Sequence, residues 1–192
     1  MDREPLKLLQ VCLTTMFERC AIRFLVHEDL PMVLAWRNHP NVRRFMLTQH
    51  EITLEEHRNW FAKVSQDVTH RLLIIEEAQL PIGYVHLSNI TLGNAADWGF
   101  YTRPDSPKGN GRKLGFTALN YAFSELGLHK LCGYAIECNQ ASIVLHKRLG
   151  FKQEGILRAQ QYINGTYHSL VCFGLLAQEW QPEKLIQEYT NA

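Results

Sequence analysis

The chain has 192 residues, the length of one domain with at most a short appendage. Apolar residues make up 46% and charged residues 20%, which is the balance of a folded chain with a buried core. A net charge of +1 excludes a broad basic face, so we expect no nucleic-acid partner and only local recognition of anions.

Neither the cysteines nor the hydropathy pattern indicates an exported, membrane-spanning or metal-binding protein. The five cysteines are an odd number without CxxC spacing, and no HExxH pattern occurs, so we expect reduced thiols and no metal. The longest apolar runs, such as residues 72–75, are far shorter than the ~20 residues of a spanning helix. Polar residues interrupt the start where a secretion signal needs an apolar run. The sequence predicts a cytoplasmic protein without a membrane partner.

The first half of the chain is predicted to form a strand, two helices and three strands. Glu28-Asp29 open the first helix, which has Pro31 in its first turn and ends near residues 38–40. Thr53 and Glu56 fit a capping box at the start of the second helix. The predicted strands are 21–26, 71–76, 82–90 and 96–102.

The second half is predicted to alternate helices with strands and to end in a hairpin. The loop 104–108 leads through Gly109-Asn110-Gly111 into a helix that ends at Gly127. Asn164-Gly165 predicts a tight hairpin turn. The remaining elements are a strand at 129–137, a helix at 140–149, and strands at 151–162 and 166–176.

The segment Lys108–Gly115 joins a loop to a helix and carries three glycines. Free backbone amides at a helix start bind phosphate, and glycines let the anion approach closely. The pattern is neither a Walker loop nor a dinucleotide fingerprint, since its spacing is GxGxxxG. A glycine-rich turn with a solvated basic helix start is the alternative interpretation.

A second motif, Asn-Gln-Ala-Ser-Ile-Val-Leu-His-Lys-Arg-Leu-Gly-Phe, occupies residues 139–151. Together the two motifs resemble the GNAT superfamily of acetyl-CoA-dependent N-acetyltransferases, which pairs a (Gln/Arg)xxGxG loop with a downstream Asn…Leu-Tyr-x-Lys-x-Gly-Phe helix. The resemblance covers residues 21–180, which leaves an N-terminal extension at 1–20 and a C-terminal tail at 181–192. Two positions depart from the family pattern: Ser106 replaces the (Gln/Arg), and His146 replaces the tyrosine.

The resemblance implies an α/β (α+β) fold with a central mixed, mostly antiparallel sheet and helices on both faces. It implies that the strands at 96–102 and 129–137 splay apart. It also implies acetyl-CoA as cosubstrate, no metal, a homodimer, and direct attack of the substrate amine without a covalent enzyme intermediate.

The family's tyrosine usually protonates the departing thiolate, so the resemblance suggests His146 as the general acid. A histidine that fills helix packing is the alternative. Glu137 is the candidate base, acting through a water, although a structural carboxylate fits its position equally well.

The resemblance assigns acetyl-CoA contacts along both motifs. The backbone of three strand residues would bind the pantetheine arm, the glycine loop would cradle the pyrophosphate, and two helix residues would meet the lower pantetheine, with a lysine reaching a phosphate. The strand residues are Phe100, Tyr101 and Thr102, and the loop residues are Lys108, Gly109, Asn110, Gly111, Arg112 and Lys113. The two helix residues are Asn139 and Ser142, and the lysine is Lys147.

The front half shows a more particular resemblance, to the amino-sugar N-acetyltransferases of pseudaminic acid biosynthesis. It rests on Trp36-Arg37-Asn38-His39-Pro40, Phe45-Met46, the segment 52–57 and Asn89-Ile90. The implied substrate is a UDP-linked 4-amino-4,6-dideoxy sugar, acetylated at its 4-amino group for flagellin glycosylation.

The amino-sugar resemblance also assigns substrate contacts. Arg37 would pair with the diphosphate, while Met46 and Trp60 would pack against the methyl face of the sugar or against uracil. The predicted polar contacts are His57, Ser88, Asn89 and Tyr101. Each of these residues also has a purely structural interpretation as surface, core or packing.

Two alternatives for the function remain open. One is an acetyltransferase of a protein N-terminus, such as that of a ribosomal protein. The other is a non-catalytic acetyl-CoA-binding module, which the departures at Ser106 and His146 would allow.

Overall fold

Seven strands form one sheet in the computed structural model, which describes residues 19–91 and 93–190. The strands are β1 (Cys20–Phe24), β2 (Arg71–Glu77), β3 (Leu80–Ser88), β4 (Ala95–Thr102), β5 (Lys130–Ile136), β6 (Lys152–Ile163) and β7 (Thr166–Leu176). The helices are α1 (Leu30–Asn38), α2 (Pro40–Arg43), α3 (Leu54–Val64), α4 (Asn110–Asn120), α5 (Gln140–Arg148) and α6 (Pro182–Thr190).

The strand order β1-β2-β3-β4-β5-β7-β6 confirms the predicted mixed, mostly antiparallel sheet. Only β4 and β5 run parallel, and they pair over four residues, from Ala95↔Lys130 to Trp98↔Gly133. Beyond Trp98 the last residues of β4 pair only with β3, while β5 continues its pairing with β7. The two strands therefore splay apart as expected, and one edge of residues 99–102 has no strand partner.

Successive side chains of a strand point to opposite faces of the sheet, so the core is divided between the two faces. Leu73 and Ile75 of β2 belong to the larger cluster, which includes apolar residues of α4 and α5. Leu72 and Ile74, their neighbours on the same strand, face the other side, where α1 and α3 pack. Helices thus cover both faces of the sheet. A site at the splay can therefore be reached by α4 and α5 from one face and by α1 and α3 from the other.

Local sequence signals account for several element boundaries. Thr53 caps α3, since its hydroxyl accepts from the Glu56 amide at 3.2 Å and the Glu56 carboxylate accepts from the Thr53 amide at 2.7 Å. Asn164 and Gly165 have φ of 49° and 83°, the two left-handed residues that a tight hairpin turn requires. The predicted capping box and hairpin are both confirmed.

Three features of the fold differ from the predictions. The short helix α2 follows α1 directly, because His39-Pro40 turns the chain and Pro40 starts a new helix. The strand β6 is interrupted by an irregular register between Leu157 and Gln161, where Ala159 has φ of 49°. The segment predicted as a C-terminal tail forms α6, and Leu185 packs against the larger core cluster.

The predicted N-terminal extension lies outside the described residues up to residue 18, and Cys20 is already the first residue of β1. In the described part of the chain, no helix combines the length and apolar character needed to cross a bilayer.

Candidate active site

A cleft of about 930 Å³ opens where β4 and β5 part. Its walls come from the end of β4, the start of α4 and one side of α5, together with residues around α2. We call this space the splay cleft. Its lining comprises Asn41, Val42, Arg44, Phe45, Met46, Phe100, Tyr101, Thr102, Ser106, Pro107, Lys108, Gly109, Asn110, Gly111, Arg112, Asn139, Gln140, Ala141, Ser142, Val144, Leu145 and Arg148.

The first turn of α4 presents backbone amides to the splay cleft. Gly109 precedes the helix with φ of 103°, and a Cβ there would meet no atom within 4 Å. The amide of Asn110 donates to the Pro107 carbonyl and that of Arg112 to the Gly109 carbonyl. None of the described hydrogen bonds uses the amides of Gly109 or Gly111. Open amides at the positive end of a helix dipole fit a pyrophosphate.

The start of α5 forms the opposite wall. Asn139 caps this helix, with its Oδ1 accepting from the Ser142 amide at 3.1 Å. Leu145 approaches α4 closely enough that a Cβ on Gly111 would lie 3.3 Å from its Cδ2. The two helix starts therefore converge on one space, and the unpaired edge of β4 lies between them. Backbone donors and acceptors on that edge fit an amide-containing chain such as pantetheine.

Most residues predicted to bind the cosubstrate line this cleft, but two lysines do not. Lys113 points away from it and pairs with Glu77 on β2, with Nζ 2.6 Å from the carboxylate. Lys147 is exposed and lies outside the lining, whereas Arg148, one residue further along α5, is part of it. The prediction of phosphate contacts for Lys113 and Lys147 therefore has no support from this geometry, and Arg148 is the cation that the sequence reasoning missed.

A second cavity of about 430 Å³ adjoins the first and shares Met46, Phe100 and Tyr101 with it. It lies on the face covered by α1 and α3, and we call it the acceptor-side cavity. Of the residues predicted to bind substrate, it brings together Arg37, Met46, His57, Trp60 and Tyr101. Its other lining residues are Thr48, His50, Ile52, Glu56, Tyr84, His86, Gly99 and Phe100.

Three buried polar atoms of the acceptor-side cavity have no hydrogen-bond partner among the described residues. They are Nη1 of Arg37, Nδ1 of His57 and the hydroxyl of Tyr84. The three residues are 9%, 6% and 5% exposed. Burial lowers the pKa of Arg37 and of His57 and raises the pKa of Tyr84 well above its usual value. An unpaired buried polar atom costs about 1–3 kcal/mol, so these groups are suited to a polar ligand.

The buried charge in this cavity is a cation, Arg37, whereas Glu56 is exposed. Arg37 donates from Nη2 to the Thr48 carbonyl at 3.0 Å, and the described ion pairs do not include it. Glu56 is the sole carboxylate of the described lining. It accepts from the Thr53 amide and lies 3.3 Å from Nε2 of His50. The cavity thus holds a buried guanidinium without a protein counter-ion.

Ser88 and Asn89, predicted as sugar contacts, lie outside the lining of both cavities. Ser88 is the last residue of β3, and Asn89 follows it with φ of 54°. The Asn89 side chain donates to the Asp97 carboxylate at 2.7 Å. Ser88 pairs with Asp97 across the sheet and Asn89 turns the chain, and the predicted substrate contacts of both have no support from the structure.

His146, the candidate acid, points into the core with 1% of its surface exposed. The indole of Trp98 donates to its Nε2 at 3.2 Å, so the ring proton is on Nδ1, 2.8 Å from the Ser142 carbonyl. The ring stacks on Phe173, and a Cβ on Gly133 would overlap it. Burial lowers the pKa of His146 to about 4. With both nitrogens engaged, the geometry favours packing over acid catalysis.

Glu137, the candidate base, is exposed and lies outside the lining of both cavities. Its carboxylate accepts from the Ser169 amide of the neighbouring strand at 3.1 Å, and its own amide donates to the Ser169 carbonyl. This arrangement favours the structural interpretation of Glu137.

Sequence reasoning missed the contribution of β3 to the acceptor-side cavity. Tyr84 and His86 project to the same face as Tyr101 because residues two apart on a strand share a side. Gly99, directly opposite His86, leaves open space, since a Cβ there would meet nothing within 4 Å. The alternation Tyr84-x-His86 was visible in the sequence, but which face it lined was not.

This sheet, with a parallel pair that splays beside a glycine-started helix, is the architecture of an acyl-CoA-dependent N-acetyltransferase. The family model for the acetyltransferase (GNAT) domain matches residues 19–152, and the chain belongs to this family. It is an N-acetyltransferase whose cosubstrate is acetyl-CoA. Among the described residues, no group of three or more His, Cys, Asp and Glu side chains is placed to hold a metal ion.

Relatives of this chain include acetyltransferases with different names. Two Campylobacter jejuni proteins named acetyltransferase PseH are 29% and 30% identical over 124 residues, which are 65% of this chain and 77% of theirs. Spermidine N(1)-acetyltransferase of Vibrio cholerae is 28% identical over 158 residues, 81% of this chain and 91% of that one. The crystal structure of the Vibrio cholerae enzyme with CoA and spermine superposes with a TM-score of 0.79 at 27% identity, over 84% of this chain and 98% of the other.

Proposed function

We propose that this protein acetylates the 4-amino group of a UDP-linked 4-amino-4,6-dideoxy sugar, as in pseudaminic acid biosynthesis for flagellin glycosylation. The observation that carries the proposal is the buried guanidinium of Arg37, whose Nη1 has no partner among the described residues. A diphosphate offers the paired anionic oxygens that a guanidinium binds best. The resemblance of the segment around Arg37 to amino-sugar acetyltransferases, and the relatives named acetyltransferase PseH, support the same class.

The two cavities divide the work of the reaction. Acetyl-CoA supplies an activated acetyl thioester when bound. The open amides of α4 would hold its pyrophosphate, and the unpaired edge of β4 would align its pantetheine arm. The acceptor-side cavity would hold the amine where it meets the splay cleft, beside Phe100 and Tyr101. Holding two reactants in contact supplies a large part of the rate enhancement of a direct transfer.

A polyamine is the second candidate for the acceptor, and it is favoured by the similarity to spermidine N(1)-acetyltransferase. A polyamine carries several positive charges and needs carboxylates around it. In the described lining of the acceptor-side cavity Glu56 is the single carboxylate, and it is engaged with Thr53 and His50. Arg37 would repel a cationic acceptor, so the charge distribution favours the nucleotide sugar.

The deciding experiment presents acetyl-CoA together with one of three acceptors: UDP-4-amino-4,6-dideoxy sugars, spermidine, or peptides with free N-termini. Release of free thiol is followed with time. We expect kcat/KM to be highest for a UDP-amino sugar. A preference for spermidine or for peptides would overturn the proposed acceptor. Binding of CoA without turnover of any amine would favour a non-catalytic binding module.

Replacing Arg37 tests directly whether its buried guanidinium binds the diphosphate of the substrate. We expect Arg37→Gln to raise KM for the UDP-amino sugar by about tenfold or more, because one charge-assisted contact to phosphate is worth ~1.5–3 kcal/mol. Arg43→Gln is the matched control, since Arg43 lies nearby, lines neither cavity and pairs with Glu51 at 3.5 Å. An equal change in KM for the two variants would contradict the pairing of Arg37 with the diphosphate.

A further inference from the structure

A pair of histidines connects the acceptor-side cavity with the protein surface. Nε2 of His86, a residue of the cavity lining, lies 2.7 Å from Nδ1 of His70. The two rings stack with centroids 4.9 Å apart. Nε2 of His70 lies 3.8 Å from the carboxylate of Asp67, which is exposed. Asp67, His70 and His86 therefore form a continuous chain of titratable groups that ends at the cavity.

The order of contacts in this chain favours one placement of the ring protons. Hydrogen bonds from Thr69 lower the pKa of Asp67, so its carboxylate is ionised. A carboxylate favours a proton on the facing Nε2 of His70, which makes Nδ1 of His70 an acceptor. His86 must then donate from its own Nε2. Its Nδ1 is left with a lone pair, and none of the described hydrogen bonds uses that atom.

His86 also stands next to the place where the two ligands must meet. It pairs with Gly99 across β3 and β4. Gly99 is the first residue of β4 beyond the last parallel pair, Trp98↔Gly133, so it marks the start of the splay. The space above Gly99 is open, and its neighbours Phe100 and Tyr101 line both cavities, so His86 lies close to their junction.

We propose that His86 is the general base of the acetyl transfer, and that His70 and Asp67 are positioning residues that hold its proton-accepting nitrogen toward the amine. The amine nitrogen forms the N–C bond to the acetyl carbon as the C–S bond breaks, with the bonding pair leaving on sulfur. The N–H proton passes to Nδ1 of His86. Solvent returns one proton to the leaving sulfur and removes one from the imidazolium, so that thioester and amine give amide and thiol.

The groups around His86 keep it neutral at physiological pH. Burial, followed by the neighbouring His70, lowers the pKa of His86 to about 4. A base of this strength accepts a proton from the amine nitrogen because bond formation to the acetyl carbon makes that nitrogen strongly acidic. The other titratable or charged groups on the same side are Arg37 from α1, His50 from the segment before α3, Glu56 and His57 from α3, Tyr84 on β3, and Asp97 and Tyr101 on β4.

Replacing His86 tests its role as a base. The assay uses whichever of the UDP-amino sugars, spermidine and peptides is acetylated. We expect His86→Gln to lower kcat by about 100-fold or more, the usual contribution of a general base, without changing the Kd for CoA measured by calorimetry. We expect His70→Gln to lower kcat by roughly tenfold, because it misplaces the base without removing it. His27→Gln, at an exposed histidine outside both cavities, should retain full activity.

Chemical rescue separates base catalysis from a structural role. Added imidazoles should restore turnover to His86→Ala, and the restored rate should increase with the pKa of the added imidazole. Rescue that is independent of that pKa, or a His86→Gln variant that keeps more than about a third of the wild-type kcat, would overturn the assignment of His86 as base.

A measurement on the ligand-free protein needs no acceptor and therefore does not depend on the proposed sugar. Nitrogen-15 NMR of the histidine rings should show His86 as the Nε2–H tautomer, titrating near pH 4. An Nδ1–H tautomer would overturn the inference even if the UDP-amino sugar proves to be the substrate. Turnover of spermidine instead of the sugar would overturn the proposed function and leave this inference standing.

Discussion

At the scale of single residues, burial lowers the pKa of both His86 and His146 to about 4, yet the two rings differ in their freedom to exchange protons. His146 has a donor on Nε2, from Trp98, and an acceptor opposite Nδ1, from Ser142. Among the described residues His86 has one hydrogen-bond partner, on Nε2, and it lines a cavity. A lowered pKa alone therefore does not identify a catalytic histidine. The proposal for His86 rests in addition on a ring nitrogen that none of the described hydrogen bonds uses.

The packing role of His146 predicts a loss of stability when it is replaced. His146→Gln keeps an acceptor for the Trp98 indole but loses ring contacts with Phe173 and Phe151. We expect the free energy of unfolding to fall by about 2–4 kcal/mol, with turnover changed less than tenfold at a temperature where the variant is folded. Denaturant unfolding and steady-state kinetics measure the two effects. Turnover reduced by about 100-fold or more, at unchanged stability, would restore His146 as the acid.

The pH dependence of stability offers a second measure of His146. Its pKa is about 4 in the folded protein, against about 6.5 in an unfolded chain. Between these values the unfolded chain binds a proton that the folded protein does not, so stability is complete above about pH 6.5 and falls as the pH falls. From pH 6.5 to 5 the loss should be roughly 2 kcal/mol. His146→Gln lacks this titration, and an equal loss in both proteins would contradict the assigned pKa.

At the scale of elements, the start of α4 depends on a backbone conformation that the sequence encodes through Gly109. Its φ of 103° is open to glycine and strained for other residues, and the space where a Cβ would stand is empty. Gly109 and Gly111 line the splay cleft, and none of the described hydrogen bonds uses their amides. The same glycine thus determines both how the helix begins and how closely a pyrophosphate can approach it.

Gly109→Ala should weaken CoA binding more than the same substitution at a glycine away from the cleft. Gly165, in the hairpin turn, also has a positive φ, of 83°, and open space around a Cβ. Both alanine variants should lose about 1–2 kcal/mol of stability, because both force an L residue into the left-handed region. Only Gly109→Ala should weaken the Kd for CoA, by about tenfold or more, since it lies against the phosphate. Calorimetry and thermal unfolding measure the two effects, and equal CoA affinities would contradict a pyrophosphate site at α4.

At the scale of the whole molecule, the elements and the splay were predictable, whereas the contents of the cavities were only partly so. Helix caps and the Asn164-Gly165 turn are local signals, which is why the boundaries of α3 and the last hairpin were found. The burial of His146 depends on Trp98, which lies 48 residues away in the chain, and no local pattern could reveal it. The pairing of His70 with His86 likewise depends on the register of β2 and β3.

The sheet consists of two parts with a narrow connection. β1 to β4 form one part, and β5, β7 and β6 form the other, with four parallel pairs between β4 and β5 to join them along the strands. The splay cleft lies at the point where this connection ends, between α4 and α5. A ligand in the cleft touches the end of β4 on one side and the start of α5, which follows β5, on the other, and so adds contacts that the strands themselves do not make.

This architecture predicts that CoA stabilises both parts of the sheet together. At a concentration of about 100 times its Kd, a ligand that binds only the folded protein contributes ~2.7 kcal/mol, which corresponds to a rise in Tm of roughly 5–10 °C for a chain of this size. Hydrogen exchange should slow at residues 99–102 of β4, at the first turn of α4 and at the start of α5 when CoA is added. Which residues exchange more slowly is a sharper test than how much their exchange slows. Slower exchange at α4 alone, with residues 139–145 unchanged, would mean that the ligand contacts one wall of the cleft and does not bridge the two parts.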